Sequence, residues 1–365
     1  MKAAVMRAVG APLDIIDDLE LGEVGPREVR VKVKAAGLCH SDLTVLNNDY
    51  GWPYPAVLGH ELAGIVEEIG SQVTAVKVGD HVVGNLVTSC GVCVDCRRGR
   101  YSTCTDPGSV RRPAGSPARL FENGEPIAQL ADLGAFLEET ILHERNLVVV
   151  DKAVPFDRAA LLGCGVLTGI GAVKNVARVQ LGETVAVLGC GGVGLNVIQG
   201  AALVGARRII AIDLQPGKLE LAKRFGATDT INPAEVDDLA ARVREITGER
   251  GVDHSFEVIG LPVTAQQAID ITTVGGTMYQ VGMHKPGTVV GLGQFDLLRG
   301  QKAIQGLHMG KPIPEYDIPL YADLYRQGRL NLDDLVSQTI PLERINEAYA
   351  DLERGEIARS VVVFD

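Results

Sequence analysis

A chain of 365 residues is long enough for two or three domains. At 46% hydrophobic and 22% charged it has the composition of a globular protein in water, and a net charge of −11 with no basic stripe excludes a non-specific nucleic-acid binder, which needs a basic face for phosphate. No apolar run reaches the ~18 residues of a membrane span. The N-terminal MKAAVMRAVGAPLDIIDD lacks the apolar core of a signal peptide, so the expected compartment is the cytoplasm, with neither membrane nor nucleic acid as partner. Seven cysteines, an odd number, then point away from disulfides and toward metal binding or a reactive thiol.

Residues 1 to about 150 read mainly as short strands and turns. In EVRVKVKAAG (28–37), AGIVEEIG (63–70) and GDHVVG (79–84) valines alternate with polar residues, and Gly or Asp marks the ends. Between about 105 and 135 the pattern fades into Pro, Gly, Ser and Arg and predicts a long loop or lobe. From about 165 to 300 the rhythm changes. TVAVLG (184–189) leads through a glycine cluster into a helical GLNVIQGAALVGA (194–206), and RIIAIDL (208–214) precedes a helical KLELAKRFGA (218–227). HSFEVIG (254–260), a helical PVTAQQAIDIT (262–272) and GTMYQVG (276–282) follow. Strands alternating with helices predict a parallel sheet with crossovers. From about 308 the tail holds one amphipathic segment, PLERINEAYADLERG (341–355), and a final strand, SVVVFD.

Gly189, Gly191 and Gly194 form a GxGxxG, with Gly192 and Val193 between, that follows the strand TVAVL and opens a helix. The first glycine serves the tight turn, the second lets backbone approach a pyrophosphate, and the third lets helix pack on strand. The helix N-terminus then offers N–H groups to phosphate. Asp213 ends the next strand, 19 residues beyond Gly194, where an acid binds the ribose hydroxyls and repels a 2′-phosphate. NAD is therefore expected over NADP.

Cys90, Cys93, Cys96 and Cys104 are spaced C-x2-C-x2-C-x7-C. Four thiolates fill a tetrahedral zinc, so this site is read as structural. An iron–sulfur cluster is the rival, but the spacing is not that of the bacterial ferredoxin run. Cys190 lies in the glycine loop and is read as packing. Cys39 and Cys164 are each flanked by glycine or its neighbours, and with His60 they offer two thiolates and an imidazole, the donors of a zinc with one open position.

The motifs GLCHSDL (37–43), GHELAGIVEEIG (59–70), GDHVV (79–83), CGVCVDC (90–96), GCGVLTG (163–169) and LGCGGVGL (188–195) occur in an order and spacing by which the chain resembles the zinc-dependent medium-chain alcohol dehydrogenases, of the liver, benzyl and class III branch, from end to end. The resemblance implies an α/β protein: a GroES-like β-rich catalytic domain over 1–164 and 308–365, and a doubly wound Rossmann domain over 165–307. It implies two zinc ions per chain. Cys39, His60 and Cys164 hold the catalytic ion, which Glu61 can approach during ligand exchange, and the four clustered cysteines hold the structural one. Asp42 matches the carboxylate that steadies the ligand histidine, and Ser41 the hydroxyl that takes the alcohol proton. Thr168 and Val193 match residues beside the nicotinamide, and Lys218 a ribose or phosphate contact. Arg359 and His40 match pyrophosphate-facing positions. Tyr50, Leu86 and Met283 match the substrate wall, with Trp52 nearby.

One departure stands out. Liver-type relatives carry a histidine five residues after the first ligand cysteine, and here that position is Thr44. A hydroxyl can pass a proton but cannot store one near neutral pH, so the relay is expected to end on cofactor ribose and water. The implied activity is oxidation of a primary alcohol, aryl, allylic or medium-chain, to the aldehyde and its reverse, by hydride transfer from the zinc-bound alkoxide to nicotinamide C4. The long segment 105–163 leans toward a homodimer, with a tetramer as the alternative. A thiol-dependent formaldehyde dehydrogenase is the competing activity; it needs a basic residue at the pocket mouth, for which Arg111, Arg112 and Arg119 are candidates. A non-catalytic zinc-binding protein is the remote alternative, set against by the intact ligand and nucleotide motifs.

Overall fold

A computed structural model describes residues 1–113, 115–291, 293–355 and 357–365. The chain divides into two compact units, one of Met1–Leu167 with Pro312–Asp365 and one of Thr168–Lys311.

The first unit is built on the strand Glu28–Gly37. Val29, Val31 and Val33 alternate with Arg30, Lys32 and Lys34, and the valines are wholly buried. This is the period-two pattern of β-branched residues on a half-covered sheet. The strand pairs antiparallel with Glu61–Ile69 on one side and with Glu139–His143 and Ser360–Val363 on the other. Among the described residues they belong to a seven-stranded sheet, beside a six-stranded one that holds Ala3–Met6. Register matters here. Gly37 lies opposite both Glu61 and Val361, so Leu38-Cys39, His60-Glu61 and Arg359 come together at one end of the sheet from three distant parts of the sequence.

The segment expected to be a long loop is partly sheet. Leu120–Glu122 and Glu125–Gln129 form a hairpin through Asn123 and Gly124, whose φ values of 51° and 81° suit a two-residue type I′ turn. The region read as strands also holds a helix, His40–Asn47, and the tail holds a second helix, Pro314–Arg326, which starts on Pro314 and tolerates Pro319 inside. Phe156–Ala177 is helical with π-turns at Leu162–Val166 and Ala172–Ala177. Among the described residues this is the one helical run long and apolar enough to cross a membrane, and 83% of its most apolar stretch is buried in the protein.

The second unit carries a parallel sheet in the order Asp229–Ile231, Arg208–Ile212, Thr184–Leu188, Val252–Glu257, Thr272–Gln280, Ala303–Gly306. Numbered along the chain this is 3-2-1-4-5-6, the doubly wound dinucleotide-binding order. Fully buried strands such as Thr184–Leu188 fit a sheet covered on both faces. A helix absent from the sequence reading, Leu239–Thr247, is capped by the Asp238 side chain on Ala241 N–H and ended by Gly248 in the left-handed region.

The first unit also buries a charged knot. Glu28 is 4% exposed and accepts from Arg112 Nε (2.9 Å), Arg119 Nε (2.9 Å) and Gly25 N–H (2.9 Å). Burial opposes its charge, yet the two guanidiniums hold its carboxyl down at about 2. Because that value lies below the ordinary 4.5, the stabilisation is complete above pH 4.5 and is lost as pH falls toward about 2. Glu28→Gln should destabilise the protein by about 3 kcal/mol near neutrality, since it leaves the buried Arg119 and the half-buried Arg112 short of a partner. Denaturant titrations of both proteins should show the gap narrowing across that acid window; a gap that is absent, or flat with pH, contradicts the assignment.

Candidate active site

The first unit gathers Cys39, His60, Glu61 and Cys164 so that one donor atom from each lies within 4.8 Å of the others. All four are buried. Cys39 precedes the helix His40–Asn47, whose Asp42 is wholly buried. Asp42 Oδ1 accepts from Gly59 N–H (3.1 Å) and from His60 Nδ1 (2.9 Å). A carboxylate on Nδ1 fixes the proton there and leaves Nε2 as a lone-pair donor, facing Cys164 Sγ at 3.2 Å. Cys164 sits in the π-turn Leu162–Val166, a distortion common at functional sites. Its neighbour Gly163 passes so close to Gly84 that a Cβ would meet the Gly84 carbonyl oxygen at 2.1 Å.

Glu61 Oε1 accepts from Arg359 Nη2 (2.9 Å), and the same nitrogen lies 3.4 Å from Cys39 Sγ. Glu61 Oε2 has no hydrogen-bond partner among the described residues. Gly37 makes room for it, because a Cβ there would lie 2.3 Å from Oε2. Hydrogen bonding from Cys164 and the charge of Arg359 hold the Cys39 thiol well below its ordinary value against burial. The same pairing and burial push Cys164 up. Burial works against His60 charging, but Asp42 and Cys39 hold it well above its usual range, and burial lifts Glu61 to about 7 despite Arg359.

These donors fit a zinc ion. Ligands about 2.0–2.3 Å from zinc stand roughly 3.3–3.8 Å from one another in a tetrahedron, and His60 Nε2 and Cys164 Sγ stand 3.2 Å apart. A cation would also stabilise the buried sulfurs and the carboxylate oxygen that has no partner among the described residues. The second cluster fits as well. Cys90 and Cys96 sulfurs are 3.9 Å apart, as are those of Cys93 and Cys104. Backbone N–H groups point at the sulfurs: Cys93 N to Cys90 (3.3 Å), Cys96 N to Cys93 (3.5 Å) and Cys90 N to Cys104 (3.3 Å). The N–H from Cys96 draws the Cys93 thiol down to about 5, while burial pushes Cys96 up to about 12. Gly91, at φ +75°, lies under the Arg145 guanidinium, where a Cβ would be 2.5 Å from Cζ.

In the second unit Gly189 has φ +101°, and a Cβ on Gly194 would meet Gly189 O at 1.8 Å. A Cβ on Gly191 would meet nothing within 4 Å, so open space adjoins the loop where a pyrophosphate needs it. Gly192 begins the helix Gly192–Leu203, with Val193 half-buried. Asp213 Oδ2 accepts from Cys190 N–H (2.8 Å) and Oδ1 from Gln215 N–H (2.9 Å), which ties the acid to the glycine loop. Lys218 is half-buried in the helix Pro216–Arg224.

The other expected positions are spread over both units. Arg359, expected to face a pyrophosphate, is 3% exposed and turned to Glu61 and Cys39. Thr44 donates its hydroxyl to the His40 carbonyl (2.8 Å), one helical turn back. His40 is exposed, and Ser41, two residues after Cys39, is half-buried. Thr168 donates to Met309 Sδ (3.5 Å). Tyr50 and Leu86 pack on the core of the first unit, Trp52 is exposed, and Met283 belongs to the second unit, where it is exposed. The arginines weighed for a thiol adduct form ion pairs within the first unit: Arg112 and Arg119 with Glu28, and Arg111, half-exposed, with Asp132. Sequence reading missed the Glu61–Arg359 pair, whose partners are 298 residues apart. It also gave no role to Gly37, the first residue of GLCHSDL.

Residues 25–152 match the family model of the alcohol dehydrogenase GroES-like domain, and residues 192–326 that of the zinc-binding dehydrogenases. The chain is 39% identical over 374 residues to alcohol dehydrogenase-like 1 of Arabidopsis thaliana, covering 100% of this chain and 96% of that protein. It is 39% identical over 368 residues to an S-(hydroxymethyl)glutathione dehydrogenase of Synechocystis sp., covering 99% of each. The crystal structure of benzyl alcohol dehydrogenase from Acinetobacter calcoaceticus superposes with a TM-score of 0.93 at 34% identity, over 100% of this chain and 99% of that one. The chain belongs to the zinc-binding medium-chain alcohol dehydrogenase family, a family of oxidoreductases for which NAD is the typical cofactor.

Asp42→Asn should weaken zinc binding at the Cys39–His60–Cys164 centre by about 10–100-fold, as loss of a ligand's supporting carboxylate does elsewhere. Chelator competition followed by metal analysis should show one ion released early and the four-cysteine ion unchanged. Equal loss of both, or of neither, contradicts the role of Asp42.

Proposed function

We propose that this zinc-dependent alcohol dehydrogenase oxidises a primary alcohol, aryl, allylic or medium-chain, with NAD⁺ as acceptor, and catalyses the reverse reduction. The observation that carries the reading is the donor set: Cys39, His60 and Cys164 converge while Glu61 is drawn to Arg359, which leaves a fourth position for a substrate oxygen. When bound there, zinc supplies a Lewis acid that lowers the pKa of an alcohol oxygen, and NAD⁺ supplies the hydride acceptor.

This chain's residues do the rest. The two thiolates balance the charge of the ion. Asp42 keeps the His60 proton on Nδ1 and aims Nε2. Ser41, two residues after Cys39, takes the alcohol proton. The Thr44 hydroxyl donates its hydrogen bond to the His40 carbonyl, which supports a relay that passes to cofactor ribose and water. Glu61 exchanges with ligands at the fourth position. Gly191 lets the pyrophosphate approach backbone, Gly189 and Gly194 shape the turn, and Asp213 binds ribose hydroxyls. His40 and Lys218 are cofactor contacts, and Thr168 and Val193 pack near the nicotinamide. Tyr50, Leu86 and Met283 are candidate contacts for the carbon chain of the alcohol. The reading takes the chain as a homodimer in the cytoplasm. The edge strand Ala303–Gly306, with Ile304, Phe295 and Leu298 exposed, supports a second copy as the cover for that edge.

A rate panel tests this. With benzylic or allylic alcohols, kcat/KM with NAD⁺ should exceed that with NADP⁺ by more than about 100-fold, since an added phosphate beside Asp213 meets roughly 3 kcal/mol of repulsion. Light scattering on the same sample should read twice the 38.8 kDa chain mass. Equal rates with NADP⁺ contradict the role of Asp213. A kcat/KM highest with S-(hydroxymethyl)glutathione replaces the alcohol reading with the thiol-adduct one, and a mass four times the chain replaces the dimer with a tetramer.

A further inference from the structure

Outside the residues already assigned, the second unit buries a carboxylate at a telling place. Glu257 ends the strand Val252–Glu257 and is wholly buried. It lies opposite Leu188, the last residue of Thr184–Leu188, and opposite Gln280. That is the carboxyl edge of the sheet at the point where the strand order reverses, outside which ligands of such sheets bind.

Its Oε1 accepts from Ile259 N–H (2.9 Å), Gly260 N–H (2.8 Å) and the Thr264 hydroxyl (2.7 Å), which also lies 2.9 Å from Leu261 O. Oε2 accepts from the Gln280 side-chain amide. The Glu257 carbonyl accepts from Val281 and Gly282 N–H, each at 2.9 Å. One residue therefore gathers two turns, 258–261 and 281–283. They cross so closely that a Cβ on Gly260 (φ +91°) would meet Met283 O at 2.4 Å, and one on Gly282 would meet Gly260 N at 2.3 Å. The first turn also packs on the dinucleotide loop. Val258 N–H donates to Leu188 O (3.1 Å), and a Cβ on Gly189 would lie 2.6 Å from Ile259 Cγ1. Every group facing the side-chain oxygens is a donor, so a glutamine would turn an amide N–H₂ against another donor.

We propose that Glu257 is a positioning residue for the nicotinamide half of the dinucleotide: it fixes the turns 258–261 and 281–283 in the shape that receives that half. Strands Arg208–Ile212 and Asp229–Ile231, with Asp213, serve the adenosine half, and none of their residues is among the partners of the Glu257 side chain. The proposal rests on the reading of this edge as the NAD site.

Binding of NADH and of ADP-ribose to the zinc-loaded protein, by calorimetry, tests it. Glu257→Gln should weaken NADH by about 10-fold or more, the loss expected for a charged hydrogen-bond acceptor, and leave ADP-ribose within about twofold. Thr264→Val, which removes one half-buried donor, should weaken NADH about threefold with ADP-ribose again unmoved, and it carries the test if Glu257→Gln fails to fold. Unchanged NADH affinity, or equal losses for the two ligands, overturns the proposal. Wild-type protein that binds neither ligand overturns the NAD reading and the proposal with it.

Discussion

Charge with no access to water governs this structure. Cys39, Cys164, Glu61 and Asp42 are each at most 5% exposed, and they face the guanidinium of Arg359 and the imidazole of His60. Taking an ion out of water without compensation costs several kcal/mol. Four acids cannot all ionise against one fixed cation, so the cluster must hold protons or a divalent metal. Without metal, the perturbed thiols, the elevated His60 and the Glu61 carboxyl near pH 7 express that frustration. A zinc ion resolves it, and the convergence of soft sulfur and imidazole nitrogen selects that kind of metal.

The rest of the first unit makes that cluster possible. Sheet register, fixed by alternating valines, sets Gly37 between Glu61 and Val361 and so brings in Cys39 and Arg359. The helix after Cys39 carries Asp42 back to His60, and the π-turn brings Cys164 to the imidazole. In the second unit Gly189 and Gly194, at contacts too close for a side chain, shape the nucleotide loop, and the Asp213 carboxylate ties it to the next strand. Glu257 extends the same logic, with a buried acid again organising the backbone around a site.

Much of this was legible in the sequence because it depends on local signals. Valine alternation marks Glu28–Gly37, the glycine spacing marks the nucleotide loop, and the cysteine spacing marks the second metal centre. The remainder depends on distant partners or on signals that compete. Asn123-Gly124 is a hairpin signal, but the Pro- and Ser-rich context around it reads as loop. Pro314 and Pro319 mask a helix that tolerates both. The π-turn at Cys164 leaves no mark in a sequence that reads simply as apolar. Arg359 reads as a cation for phosphate, and its pairing with Glu61 depends on a sheet register that joins strands far apart in the sequence. Glu257 had a signal, an acid closing an otherwise buried strand, but its meaning depends on donors from two turns.

The central claim is that one chain holds two zinc ions in two different donor sets. Zinc X-ray absorption on the purified protein tests it directly. Averaged over a four-sulfur centre and a centre with two sulfurs, one imidazole and one oxygen, the account predicts about three sulfur ligands and one nitrogen or oxygen per zinc at tetrahedral distances. A shell of sulfur alone, with a single zinc per chain, would contradict the catalytic assignment of Cys39, His60 and Cys164.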